Sequence, residues 1–191
     1  MKTTPQKLAC LTLALSLILA ASGAMATQLA ISSSQWETAF KTLLAYAEEN
    51  GLPLTENTDF AVAEFSAPDG TVGYEHSLDL AGFMRVSYYD DGNDAFDIAI
   101  LTINLDHGCA SLEMASLAIY FTILGCDTET TQEEYNALMD AMCPNFAEVF
   151  SGEERINGMQ AATLRGVGFA LEISDTERFI KLYANVSLSP M

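Results

Sequence analysis

The residues most able to do chemistry in this chain are a histidine and a cysteine two positions apart, His107 and Cys109. A cysteine becomes a nucleophile when a base lies within hydrogen-bond reach and when its pKa is lowered, which the start of a helix can do. The pair follows an apolar segment and precedes Ser111, where a helix is predicted to begin. It could therefore form the catalytic centre of a thiol enzyme or hydrolase. The alternative is an ordinary loop with a structural cysteine.

A second group with chemical potential is the acidic run Asp90-Asp91-Gly92-Asn93-Asp94. Its carboxylate and amide oxygens are hard ligands of the type that Ca²⁺ prefers. The run lacks the Asp-x-Asp-x-Asp-Gly order and the terminal Glu of an EF-hand loop, and apolar segments of alternating pattern flank it on both sides. We therefore predict a hairpin turn without metal, with calcium binding through Asp90, Asp91, Asn93 and Asp94 as the alternative. No cofactor is predicted.

Three cysteines, Cys109, Cys126 and Cys143, follow the N-terminal segment, and in an exported protein we expect one disulfide among them. If the two predicted helices between Cys109 and Cys143 form an antiparallel hairpin, these two residues meet at the same end. Cys126 would then lie about 15 to 18 Å from Cys143, beyond bridging distance. We predict a Cys109–Cys143 disulfide, with three buried thiols as the alternative. Together with His107 the cysteines could also bind zinc, but no Cys-x-x-Cys or His-x-x-x-His spacing is present.

The first predicted element is a helix over residues 34–50. Its apolar residues fall at i, i+4, i+7, i+8 and i+11, which is one continuous stripe: Trp36, Phe40, Leu43, Leu44 and Ala47. Ser34 and Glu37 have the spacing of a capping box, and Gly51 is expected to end the helix.

From residue 59 to residue 105 the hydrophobic period changes from 3.6 to 2, which predicts four strands, over residues 60–66, 71–78, 83–89 and 96–105. His76 falls in the second of them and is interpreted as a half-buried strand histidine. The apolar residues of the fourth strand change parity after residue 100: Phe96, Ile98 and Ile100 have one parity, whereas Leu101, Ile103 and Leu105 have the other. That change indicates a β-bulge or a strand buried on both faces.

Helices return over residues 111–124, where apolar side chains on almost every side predict a buried helix that ends at Gly125. Thr131 and Glu134 open the next helix as a capping box, and Pro144 follows its end. A short helical turn is predicted over 146–150. Three strands are then predicted over residues 159–165, 168–174 and 178–188.

The predicted order α-ββββ-αα-βββ places the chain in the α+β class, because strands cluster with strands. Short connections require antiparallel neighbours, so we expect an antiparallel sheet of about seven strands with the helices packed on one face. An alternative arrangement is two α-then-β units side by side.

Residues 1–26 are interpreted as a bacterial-type secretory signal peptide. Lys2 and Lys7 supply its positive start, an apolar run follows, and Ala24-Met25-Ala26 has the form that signal peptidase cleaves after. Residues 27–191 are predicted to form a single α+β domain that is exported to the periplasm or the medium. No later segment is long and apolar enough to span a membrane.

The charge of the chain limits its partners. It has 26 acidic and 8 basic residues and a net charge of −18, and the predicted cleavage removes two lysines and no acids. Nucleic acid is excluded as a partner because its binding requires Lys and Arg to neutralise phosphates. Excess negative charge instead favours a cationic protein or peptide. We therefore expect an exported, non-enzymatic binding module, chaperone- or inhibitor-like, with the thiol enzyme centred on His107 and Cys109 as the alternative.

Overall fold

The computed structural model describes residues 31–66, 70–108 and 110–186, so the predicted signal peptide and Cys109 lie outside the described residues. The helices are α1 (Ser33–Glu49), α2 (Leu112–Cys126), α3 (Gln132–Met142) and α4 (Phe146–Ser151). The strands are β1 (Ala61–Ser66), β2 (Val72–Leu80), β3 (Met84–Asp90), β4 (Phe96–Asn104), β5 (Asn157–Leu164), β6 (Val167–Ser174) and β7 (Phe179–Ala184).

The seven strands form one sheet in the order β1-β2-β3-β4-β7-β6-β5, and every neighbouring pair is antiparallel. This confirms the predicted α+β fold and its element order. Each half of the chain contributes one or more helices and then a meander, and the last strands of the two meanders, β4 and β7, pair at the centre. The fold therefore also has the arrangement of two α-then-β units side by side.

The N-cap of helix α1 is Ser32, two residues before the predicted cap, Ser34. Ser32 accepts a hydrogen bond from the Gln35 N–H, and the Gln35 side chain accepts one from the Ser32 N–H, so the capping box is Ser32 with Gln35. The proposed box of Ser34 with Glu37 is wrong, because Asp94 accepts the Ser34 N–H at 2.6 Å and its hydroxyl at 2.7 Å. Glu37 is thereby left to contact the sheet.

Helix α2 does not end at Gly125 as predicted but continues through it to Cys126. A Cβ at Gly125 would lie 2.7 Å from Trp36 Nε1, so the glycine provides the close approach of α1 to α2. Trp36 has no exposed surface and stacks on Phe40 at 5.0 Å and on Phe96 at 5.6 Å between ring centroids. The aromatic core thus lies between α1, α2 and the sheet.

Strand β4 confirms both features that its pattern indicated. The register shifts where Asp90 pairs with Phe96 and Tyr89 with Ile98, which is a bulge at Asp97. On the N-terminal side of the bulge Phe96 packs toward the helices. Beyond it, Ile98 lies on the opposite face, in a smaller cluster with buried Tyr89, Ala170 and Tyr183. The sheet therefore has a helix-covered face and an open face with its own aromatic cluster.

Candidate functional site

The densest set of ionisable groups lies on the helix-covered face, between α1 and strands β2 and β3. Lys41 Nζ is 2.7 Å from a carboxylate oxygen of Glu37, and the other oxygen accepts the Tyr88 hydroxyl. The Tyr88 ring stacks on His76, with 4.3 Å between centroids and 9° between planes. His76 Nε2 lies 3.1 Å from Asp90 Oδ2. We call these five residues the polar chain.

Strand register explains how the polar chain forms. His76 and Tyr88 are paired residues of β2 and β3, so their side chains lie side by side on the same face. Asp90 follows Tyr88 by two residues and shares that face, because side chains alternate along a strand. Its second oxygen accepts the Gly92 N–H at 2.8 Å, which fixes the carboxylate.

Hydrogen bonding sets the charge states of Glu37 and Tyr88 in the polar chain. Burial alone would raise the pKa of Glu37, but hydrogen bonds from Lys41 and Tyr88 outweigh burial and lower it. Burial, together with the bond to the Glu37 carboxylate, raises the pKa of Tyr88. At neutral pH the pair is thus a charged carboxylate that accepts a bond from a neutral phenol.

The polar chain has two of the three parts of a nucleophilic catalytic site. An aspartate that orients a histidine is the usual support for a general base. The group stacked on this imidazole is, however, a tyrosine that already donates its proton to Glu37, rather than a serine or cysteine nucleophile. The side chain of Asp90 also closes the β3–β4 turn. The arrangement is therefore best explained as a structural network that locks α1 onto the sheet.

A second polar and aromatic group lies on the open face of the sheet. The Tyr183 hydroxyl donates to Glu172 at 2.5 Å, and the Ser87 hydroxyl donates to Glu75 at 2.9 Å. Burial and the neighbouring glutamates raise the pKa of both Tyr89 and Tyr183. Glu75 and Glu172 thus accept hydrogen bonds at the border of an apolar cluster.

The predicted thiol centre is only partly within the described residues. His107 is exposed, and its ring lies parallel to that of Phe83 at 6.4 Å. Its backbone carbonyl accepts the Ala110 N–H at 2.9 Å, which makes a tight turn before α2. Cys109 lies outside the described residues. The catalytic pair of His107 and Cys109 stays a prediction.

Cys126 and Cys143 are buried, and neither forms a disulfide with another described residue. Burial raises the pKa of Cys126 to about 12 and also raises the pKa of Cys143, so both are protonated at neutral pH. No disulfide joins the described residues. The predicted Cys109–Cys143 bridge involves a residue outside that range and remains a prediction.

The acidic turn uses its carboxylates for local structure. Asp91 accepts the Asn93 N–H at 2.9 Å, while Asp94, at φ +64°, binds the first turn of α1. With Asp90 bonded to His76 and Gly92, the side chains point to different partners. Among residues 31–66, 70–108 and 110–186 no set of three or more His, Cys, Asp and Glu side chains could hold a metal ion.

Sequence reasoning missed the polar chain because its contacts are remote in sequence. Glu37 and Tyr88 are 51 positions apart, and the capping box predicted for Glu37 assigned that residue to the helix start instead of the sheet. The one available signal was parity: Asp90, the first residue after the strand predicted over 83–89, has the parity of Tyr88, and His76 shares a parity with Tyr74 in the strand before it. Pairing the two strands in register would have placed the histidine and the aspartate together.

Cations in the described part of the chain are used internally. Each of its arginines forms an ion pair, and Lys41 pairs with Glu37. Lys181 Nζ lies 4.4 Å from the centre of the Phe179 ring. Many carboxylates, such as Glu48, Glu133 and Asp140, are exposed and have no cationic partner among the described residues. The surface is therefore anionic, and its few positive charges are already matched.

Comparison with known proteins gives no relative. No family model matches this chain, and neither the curated proteins nor the solved structures yield a similar protein. Within the described residues, no helix has the length and apolar character needed to cross a bilayer.

Proposed function

We propose that this protein is an exported, non-enzymatic binding module whose partner is a cationic protein or peptide. The observation that carries the proposal is how the charged side chains of the protein are paired. Lysines and arginines of the described residues are engaged in internal contacts, while a surplus of exposed carboxylates remains. A partner with positive charge can supply the missing ion pairs and is attracted at long range.

The use of the carboxylates that make internal hydrogen bonds supports a binding role rather than an enzymatic one. Glu37, Asp90 and Asp94 each join elements that are distant in sequence or close a turn. Their side chains stabilise the fold, and the exposed carboxylates are left to meet a partner. Export follows from the predicted signal peptide and remains part of the proposal.

The proposal is tested by fluorescence anisotropy with three labelled peptides of about ten residues, which alternate valine with lysine, glutamine or glutamate. The lysine peptide should bind most tightly, and its affinity should fall when NaCl is raised from about 50 to about 300 mM, because salt screens exposed charges. Equal affinity for the three peptides, or preference for the glutamate peptide, would contradict the proposal.

A further inference from the structure

Strand β5 is an outer strand of the sheet and is almost wholly accessible. Its eight residues, Asn157–Leu164, include six exposed residues and two that are half buried. The strand contains no charged residue, and Met159 is 53 % exposed. Only β6 pairs with it, so one side of its backbone has N–H and C=O groups without a strand partner.

Natural outer strands are usually protected against pairing by lysine, proline, a bulge or short length. Strand β5 has none of these features. Its register with β6 runs without interruption from the Asn157–Ser174 pair to the Leu164–Val167 pair. The opposite outer strand, β1, is shorter and carries Glu64. Of the two outer strands, β5 is therefore the better template for an added strand.

Acidic groups lie at both ends of β5. At its C-terminal end Arg165 contacts three carboxylates at once, those of Asp127, Glu129 and Glu134, within 3.5 Å. One guanidinium cannot neutralise three carboxylates, and Glu129 remains 85 % exposed. The neighbouring Glu133, on α3, is exposed too. Helix α3 packs against β5, which places this acidic group next to the strand.

The N-terminal end of β5 repeats this pattern. Glu153 and Glu154 precede Arg155, whose guanidinium is 3.8 Å from Asp175 and 78 % exposed. Arg178 also contacts Asp175, at 3.2 Å, so two arginines face three carboxylates at this end. An uncharged backbone edge thus runs between two groups with surplus negative charge.

We propose that β5 binds an extended, lysine- or arginine-containing segment of a partner protein by strand addition. Main-chain hydrogen bonds to the free edge supply affinity that does not depend on sequence, and the acidic groups at both ends select cationic residues. This inference rests on the proposed function and names the place and the mode of binding.

N-methylation of the peptide tests the mode. Along a strand, N–H groups point alternately toward and away from a neighbour. A lysine-valine peptide methylated on every backbone nitrogen has no N–H left on either edge, so it should bind about tenfold or more weakly than the unmethylated peptide of equal charge. Equal affinities of these two peptides would overturn strand addition while leaving cationic binding intact.

Proline substitutions test the place. One of two adjacent residues, Gln160 and Ala161, points its N–H at the free edge, so proline there preserves pairing with β6. Of Gln160→Pro and Ala161→Pro, the variant that keeps the parent melting temperature should bind the lysine peptide about tenfold more weakly. The matched control is Ala63→Pro in β1, which should bind as the parent does.

The outcomes separate the two proposals. If the parent protein fails to bind the lysine peptide, the proposed function fails. If it binds, but the β5 and β1 variants bind equally well, only the β5 site is wrong. Sedimentation equilibrium shows whether a second copy of the protein occupies β5. A dimer that is disrupted by Ala161→Pro or Gln160→Pro, but not by excess peptide, would show that it does and would overturn the inference.

Discussion

Replacement of Gly125 by alanine tests the close packing of α1 on α2. In a helix interior this change is ordinarily stabilising by about 1 kcal/mol, because glycine loses more backbone entropy on folding. Here the new Cβ would lie 2.7 Å from Trp36 Nε1 and 3.1 Å from two further ring atoms, all inside normal contact distance. The sign of the effect therefore depends on whether the indole can move.

The surroundings of the indole prevent that movement. Trp36 is fully buried, and Phe40, Phe96 and Tyr88 pack around it with ring centroids 5.0 to 5.6 Å away. Overpacking of such a core costs about 1 to 3 kcal/mol. Because the indole cannot move, the upper part of this range applies, about 2 to 3 kcal/mol. Set against the helix gain of about 1 kcal/mol, this leaves a net loss of about 1 to 2 kcal/mol, which corresponds to a fall in Tm of about 2 to 8 °C.

Thermal and urea denaturation followed by circular dichroism measure this loss. Gly108→Ala is the matched control, since that glycine has no positive φ and a Cβ added to it would meet no atom within 4 Å, and its Tm should stay within about 1 °C. In a Trp36→Phe background the alanine should become neutral or stabilising, because the clashing ring atoms are gone. An unchanged or higher Tm for Gly125→Ala in the parent chain would refute the packing argument.

Three further predictions concern the ionisable groups. Glu37→Gln should lower the free energy of unfolding at pH 7 by about 1 kcal/mol. Folding lowers the pKa of Glu37 below 4.5, so the difference from the parent protein should vanish as the pH falls through the pKa of the folded state, which urea denaturation at several pH values can measure. Asp97→Asn should raise Tm slightly at pH 7, since partial desolvation of this surface carboxyl, with Asp91 and Asp90 nearby, raises the pKa of Asp97 and its charge costs stability above that pKa; a gain that persists below pH 3.8 would contradict this. Cys126 should react with iodoacetamide only after unfolding, because its pKa is about 12 and it is buried; rapid labelling of the native protein at this residue, mapped by mass spectrometry, would show that α2 opens.

Sequence patterns predicted the fold well because most of its elements carry a strong local signal. The change of period after residue 59 separated helix from strand, and the parity change in β4 indicated a bulge, which the structure places at Asp97. Gly125 was misread as a helix end, because the same residue type serves both as a terminator and as a point of close approach. Which role applies depends on Trp36, 89 positions earlier.

The polar chain could not be predicted in the same way. Its formation requires the register of β2 on β3 and the position of α1 over both strands, and neither is encoded within a short window. The cap of α1 shows how one local choice has a distant effect. Ser34 and Ser32 both have the residue type of a cap, and only the bond of Ser34 to Asp94 decides between them.

The bond of Ser34 to Asp94 also affects the role of Glu37. Because Ser32 and Gln35 form the capping box, Glu37 is not used at the helix start and can accept the Tyr88 hydroxyl. The carboxylates that hold the molecule together are thus fixed in pairs with specific donors, whereas Glu129 and Glu133 beside β5 are exposed. The carboxylates fixed in these pairs are not available to a partner, whereas the exposed carboxylates destabilise the fold little. A cationic segment that docks at β5 would therefore gain ion pairs without disturbing the network that stabilises the domain.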